Sequence, residues 1–361
     1  MIFPDVLGHG RALAVLERLL ASGRLPHAFL FHGPEGVGKG LVARLFAGAL
    51  VCTSPGADGA GCRTCAACRR AEHGNHPDVL VVTRLPKKDR GAGSELDEGD
   101  EDGEEAAGAK ADELKSFIVV SQIRELNHHA AYAPREGRRR VFIVDPADRM
   151  NAESQNALLK TLEEPPGQAV IVLVASRPHV LLPTVRSRCF QIGFGAMLPE
   201  VLARDLVARG IAGGEAASRA ALAEGRPGRA IALDLEALGR RRGQILEALE
   251  ALAASPRAAA DMADYVDRVA GNGEPEFLEG LDLLMGLMRD AARVASGLGA
   301  ILHGDVAPRI DKLGRRVGAE RAMETVALVD RLRGDLRLNL NKTLVCETIL
   351  AAVAGGPVAI A

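Results

Sequence analysis

The sequence predicts a parallel α/β domain in its first half and helices alone in its second. Three observations carry this. Four short apolar runs, 28–31 (AFLF), 79–82 (VLVV), 141–144 (VFIV) and 169–174 (AVIVLV), alternate with helix-period stretches in the first 195 residues. After about residue 197 such runs stop, and Leu, Ala, Arg and Glu recur at helical spacing, as in Ile245, Leu249 and Leu252. A glycine-rich loop, 33–40 (GPEGVGKG), stands between a predicted strand and a predicted helix. Strands apolar throughout, alternating with helices, imply a parallel sheet covered on both faces.

Taken in order, each element has its own signal. After Lys39, the residues Leu41, Val42, Leu45, Phe46, Ala49 and Leu50 form one apolar helix face. Asn151 caps a helix that runs through Leu158, Leu159 and Leu162 and is stopped by Pro165 and Pro166. Residues 84–115 are rich in Gly, Asp and Glu and nearly free of large apolar side chains, which reads as a solvated spacer or disordered insertion. A break near 223–229 (AEGRPGR) divides the helical part into a small domain and a larger one.

A chain of 361 residues holds two or three domains, and 47% hydrophobic composition suffices for a core in each. No run of about 18 uncharged apolar residues appears, so no membrane span is expected. The N-terminal stretch carries acids among its apolar residues and lacks a small-residue cleavage site, so no secretory signal is expected either. Aromatic residues make up only 3%, which argues against a surface that stacks single-stranded bases. Residues 94–105 (SELDEGDEDGEE) hold eight acids and no base; −2 overall and −8 in this run leave +6 elsewhere, a mildly basic body.

The motifs carry the chemistry. In the loop, Gly33, Gly36 and Gly38 would let backbone N–H groups turn onto phosphate oxygens, and Lys39 would reach the terminal phosphates. A hydroxyl should follow to hold Mg²⁺, but Gly40 stands there. The run 141–148 (VFIVDPAD) ends a strand in Asp145, a candidate Mg²⁺ ligand. An active ATPase of this type carries Glu next, and here Pro146 follows. Asp148 lies too far along the chain to stand in for it. Both departures describe a nucleotide site without efficient hydrolysis. Cys62, Cys65 and Cys68 form C-x2-C-x2-C with Cys52 upstream, a spacing that reads as metal before disulfide.

The string 156–166 (NALLKTLEEPP) resembles the bacterial clamp-loader subunits of the AAA+ class, and the match continues at 175–178 (ASRP) and 181–189 (LLPTVRSRC). The resemblance is strong over about 5–230 and weak beyond, where 339–350 (NLNKTLVCETIL) looks like the end of a collar domain. It implies a RecA-like AAA+ domain at 1–195, a helical lid at 196–236 and a helical, oligomerising collar at 237–361. It implies that Cys52, Cys62, Cys65 and Cys68 hold a structural Zn²⁺ in a module inserted at about 50–75, with His73 and His76 as loop residues. It implies that Arg188, in Ser187-Arg188-Cys189, projects into a neighbour's ATP site as an arginine finger. Cys189 reads as a small buried side chain.

Ser176 occupies the region of the family's first sensor. Gly228 takes the place of a nucleotide-sensing Arg, a third departure, with Arg226 and Arg229 as neighbouring substitutes. The pattern of losses resembles the family's stator type. That implies a five-subunit assembly with gamma/tau motor subunits and a delta subunit, acting on a sliding clamp and primer–template DNA in the cytoplasmic replisome. An active motor subunit and a zinc-dependent nucleic-acid-binding protein are the alternatives.

Overall fold

The computed structural model describes residues 6–56, 59–85, 117–254, 262–271, 273–299, 301–335 and 341–355. The eight-acid run, and with it most of the expected 84–115 insertion, lies outside them. The chain divides into two compact units, Met1–Ala232 and Leu233–Ala361.

The first unit is built on a five-stranded sheet. Its strands are β1 (Ala28–His32), β2 (Val79–Val82), β3 (Arg140–Val144), β4 (Ala169–Ala175) and β5 (Phe190–Gly193), in the order β2-β3-β4-β1-β5. Every neighbouring pair is parallel, as apolar strands joined by helices require. Four of the strands follow the four apolar runs. β5 (FQIG) has only Ile192 buried, and its exposed Phe190 and Gln191 suit an edge strand.

Because side chains alternate along a strand, each strand feeds two cores. Phe29, Phe31, Val141, Ile143, Val170 and Val172 face α1 (Gly10–Ser22) and α2 (Lys39–Val51), through Leu16 and Phe46. Leu30, Phe142, Val144, Ile171 and Leu173 face α4 (Val120–Ala130) and α5 (Ala152–Glu163), through Ile123, Leu126, Leu158 and Leu162. Within α2 the buried stripe is Val42, Ala43, Phe46, Ala47 and Leu50. Leu41, expected on that stripe, is instead 48% exposed, one helical step away from it. The Asn151 Oδ1 accepts the Ser154 N–H at 2.8 Å, so the expected cap of α5 is in place.

The short α3 (Ala66–Glu72) precedes β2, and the four-residue α6 (Pro183–Arg186) precedes β5. Three helices complete this unit: α7 (Pro199–Ala208), α8 (Gly213–Leu222) and α9 (Pro227–Ala232). α7 packs on α8 through Leu202, Leu206, Ala216 and Ala220.

The described residues of the second unit contain helices and no strand: α10 (Leu235–Ala254), α11 (Met262–Ala270), α12 (Glu274–Ala295), α13 (Ala307–Val317), α14 (Ala319–Asp335) and α15 (Lys342–Val353). α12 is its central element and touches α10, α11, α13 and α14. Inside this unit the buried Asp290 carboxylate accepts the backbone N–H groups of Leu302 and His303 and pairs with His303 Nδ1 at 2.8 Å. No helix among the described residues is long and apolar enough to cross a membrane.

Candidate nucleotide loop, surface arginine and metal centre

A parallel sheet gathers its functional loops beyond the C-terminal ends of its strands. Here the glycine loop follows β1, Asp145 follows β3 and Ser176 follows β4. All three therefore lie at one edge of the sheet.

The loop has the backbone expected of a phosphate cradle. Gly33, Gly36 and Gly38 take φ of 146°, 80° and 104°. A Cβ on Gly33 would stand 1.9 Å from the Phe194 carbonyl oxygen, so that position admits only glycine. The chain itself supplies partners for the lysine of this loop. Lys39 is buried, and its Nζ donates to the carbonyls of Gly33 and Pro34 at 2.7 Å each and to Ser176 Oγ at 3.2 Å. Burial lowers the Lys39 pKa, against the opposing pull of Asp145, Glu35 and Asp148.

The Gly36 carbonyl accepts the Gly228 N–H at 2.8 Å, which docks the start of α9 directly on the loop. A Cβ on Gly228 would lie 2.9 Å from that same oxygen. Position 228 thus has little room for a side chain while this bond is made. Arg226 donates to the Ala223 carbonyl and pairs with Glu224 at 3.2 Å.

The missing hydroxyl at Gly40 has a counterpart as well. A Cβ there would sit 2.6 Å from Asp145 Oδ2, so the Asp145 carboxylate lies in the space that a side chain at position 40 would need. Burial raises the Asp145 pKa, while Arg44 and Lys39 pull it down. Asp148 is engaged by the residues after β4. It accepts the Ser176 N–H at 3.3 Å and pairs with Arg177 at 3.3 Å, tying the end of β4 to the turn after β3.

Arg188 follows α6 and is only partly buried. Its Nη1 donates to the Thr184 carbonyl at 2.9 Å, and its Nη2 pairs with Glu163 at 2.5 Å. The segment that carries it is anchored by Gln155, whose role sequence reasoning missed. Gln155 Oε1 accepts the Leu182 N–H at 2.7 Å, and its Nε2 donates to the Met150 carbonyl at 3.1 Å. Its only sequence signal is a polar residue on the core face of α5. Cys189 is buried with its thiol pushed up to about 12 by desolvation, so it is inert.

The cysteines form a separate constellation at the other end of α2. Cys52 follows that helix, and Cys65 caps α3. The four sulfurs of Cys52, Cys62, Cys65 and Cys68 all lie within 4.8 Å of one another. A tetrahedron with Zn–S bonds of about 2.3 Å has edges of about 3.8 Å, and the Cys52–Cys65 separation is 3.9 Å. Backbone N–H groups already point at the sulfurs: Cys62 N–H at Cys52, Cys65 N–H at Cys62 and Cys68 N–H at Cys65. Such contacts favour thiolate. Burial works to raise the Cys65 thiol, but hydrogen bonds from the Cys68 N–H and from Thr53 hold it down at about 5, whereas burial pushes the Cys52 and Cys68 thiols up, a cost that a bound cation would offset. Four soft thiolates at these separations fit a tetrahedral metal such as zinc.

His73 is exposed, and the buried His76 accepts the Asp78 N–H at Nδ1, a loop contact. The buried Asp78 accepts the N–H groups of Arg135, Glu136 and Gly137 at 2.6–2.8 Å and so holds the turn before β3 beside this module.

Residues 8–197 match the family described as DNA polymerase III, delta subunit. The DNA polymerase III subunit delta' of Pseudomonas aeruginosa is 31% identical, over 95% of this chain and 96% of its own. The subunit tau of Salmonella typhimurium is 32% identical over 56% of this chain and 27% of its own. The subunit gamma/tau of Mycobacterium bovis is 34% identical over 57% and 31% respectively.

Proposed function

This chain belongs to the DNA polymerase III delta-type subunit family, and on that premise we propose that it is the stator of a clamp loader. In this reading it turns over no ATP itself. It assembles with ATP-hydrolysing gamma/tau subunits and a delta subunit in a hetero-pentamer that loads a sliding clamp on primer–template DNA. The helices of 196–236 serve as a lid and those of 237–361 as the oligomerising collar. Arg188 enters the neighbouring motor subunit's ATP site and stabilises charge on the transferred phosphoryl group, a task suited to a planar guanidinium that is always charged. Cys52, Cys62, Cys65 and Cys68 hold a structural Zn²⁺, which fastens the segment around them.

The observation that carries the reading is the closure of the nucleotide loop by its own chain. Lys39 is spent on the carbonyls of Gly33 and Pro34, Gly36 is bonded to Gly228, and Asp145 fills the space beside Gly40. In this arrangement Lys39 would have to leave two carbonyls to meet a phosphate, and position 40 offers Mg²⁺ no hydroxyl, while Arg188 stands at the surface.

The test is Arg188→Ala in the reconstituted complex. Assembly is expected to persist, measured by size-exclusion chromatography. ATP turnover by the complex is expected to fall by at least about tenfold, since such a finger contributes orders of magnitude. Unchanged turnover in a fully assembled complex would remove the finger assignment.

A further inference from the structure

We propose that Glu163 is the positioning residue for Arg188, holding its guanidinium with one edge open toward an incoming phosphate. The inference rests on the reading of Arg188 as the residue that completes a neighbour's site, and it adds a residue to which that reading gives no part.

Glu163 is locally misplaced. It is the last residue of α5, where the helix dipole presents partial negative charge and a cation would be favoured. Glu164 follows it, so two acids crowd the unfavourable end, and Pro165 and Pro166 then stop the helix. A charge that its own helix disfavours is expected to answer a demand made elsewhere in the fold. The demand is visible: Glu163 Oε1 lies 2.5 Å from Arg188 Nη2.

The second hold comes from the other side. Arg188 Nη1 donates to the Thr184 carbonyl at 2.9 Å, an acceptor within the same short helical turn that precedes the arginine. Carboxylate and carbonyl thus engage one terminal nitrogen each. A guanidinium has five N–H donors in a fixed plane. Two are engaged here, so the Nε–H and the outer hydrogens of the terminal nitrogens are left for an anion. The side chain is 35% exposed.

Without the two holds Arg188 would be a long side chain free to sample many rotamers, and fixing it on docking would cost entropy at the moment of assembly. Glu163 meets that cost within the free subunit. Its negative charge does not cancel the attraction for phosphate, because a half-exposed pair is screened by solvent. The open edge remains cationic.

The test compares four forms of this chain, each reconstituted with the same motor subunits: wild type, Glu163→Ala, Glu163→Gln and Arg188→Ala, with the Arg188→Ala/Glu163→Ala double variant to close the cycle. ATP turnover is measured as kcat and KM, with complex formation and thermal midpoint as folding controls. Positioning predicts that Glu163→Ala lowers kcat about tenfold with KM little changed, as loss of alignment does. Glu163→Gln keeps an oxygen acceptor at the same reach and should restore most of that loss. The double variant should be no slower than Arg188→Ala alone, because Glu163 acts only through the arginine.

If Arg188→Ala lowers kcat but Glu163→Ala leaves it unchanged, the positioning role is wrong and the finger stands. If Glu163→Ala raises kcat, the contact restrains the arginine rather than aiming it, and the proposal is overturned. If Arg188→Ala itself has no effect, the underlying reading falls first.

Discussion

The two ends of α2 make opposite use of similar sequence. Both are flanked by glycine-rich loops that carry a ligand-binding motif, yet the structure completes them differently. At the N-terminal end the chain engages several groups of the loop itself: Lys39 bonds two carbonyls and Ser176, the Gly36 carbonyl accepts from Gly228, and Asp145 fills the space beside Gly40. At the C-terminal end four sulfurs converge within 4.8 Å with backbone N–H groups turned toward them. One end is tied to its own chain and the other gathers four metal-ligating side chains. The motif lysine is thus engaged within the chain, whereas the four sulfurs face one another.

The comparison breaks most severely at the cysteines. Cys65→Ser should lose the metal, measured as zinc content falling from about one per chain. It should also unfold at clearly lower temperature, with a loss on the order of 3 kcal/mol or more, because binding energy at such a site is folding energy. Retention of zinc and of the thermal midpoint would show that the four sulfurs do not act as a set.

Asp78 gives a smaller effect at the same end. Asp78→Asn sets an amide donor against the N–H groups of Arg135, Glu136 and Gly137 and should cost about 2–3 kcal/mol in denaturant unfolding. The pH dependence has a definite sign. Burial alone would raise the Asp78 pKa, but the three N–H bonds carry it below the usual 3.8. A depressed carboxylate stabilises the fold fully above its unfolded pKa and loses that stabilisation as pH falls through the folded one. The wild type should thus lose more stability than Asp78→Asn below about pH 4. Parallel acid profiles would contradict this.

The N-terminal end is the more tolerant. Gly228→Ala places a methyl 2.9 Å from the Gly36 carbonyl oxygen, and α9 must shift to admit it. The expected cost is about 1–2 kcal/mol, read by thermal unfolding, with faster hydrogen exchange at the Gly228 amide. Unaltered exchange would mean that this contact does not hold the loop.

Much of this contrast was legible in the sequence. Four strands were visible as apolar runs because buried parallel strands cannot hide their composition. β5 was not, since an edge strand with only Ile192 buried has no such pattern. The cysteines were legible because C-x2-C spacing is local and α2 delivers Cys52 to them. Leu41 was misplaced because a helix apolar on much of its circumference does not announce which stripe faces the sheet. The departures at Gly40, Pro146 and Gly228 could be read one at a time. The crowding at Gly40 and Gly228 could not, because the approach of Asp145 to Gly40 and of Gly228 to Gly36 joins residues about 105 and 192 positions apart. Gln155 and Glu163 escaped for the same reason: their partners, Leu182 and Arg188, become neighbours only in the fold.

The most direct measurement is ATP turnover by the purified, zinc-loaded chain alone, with Mg²⁺ and primed DNA, beside Lys39→Ala. A closed loop predicts no turnover above background and no difference between the two proteins. Robust turnover abolished by Lys39→Ala would contradict the account, because it would mean that Lys39 leaves the carbonyls of Gly33 and Pro34 and that this chain is itself a motor.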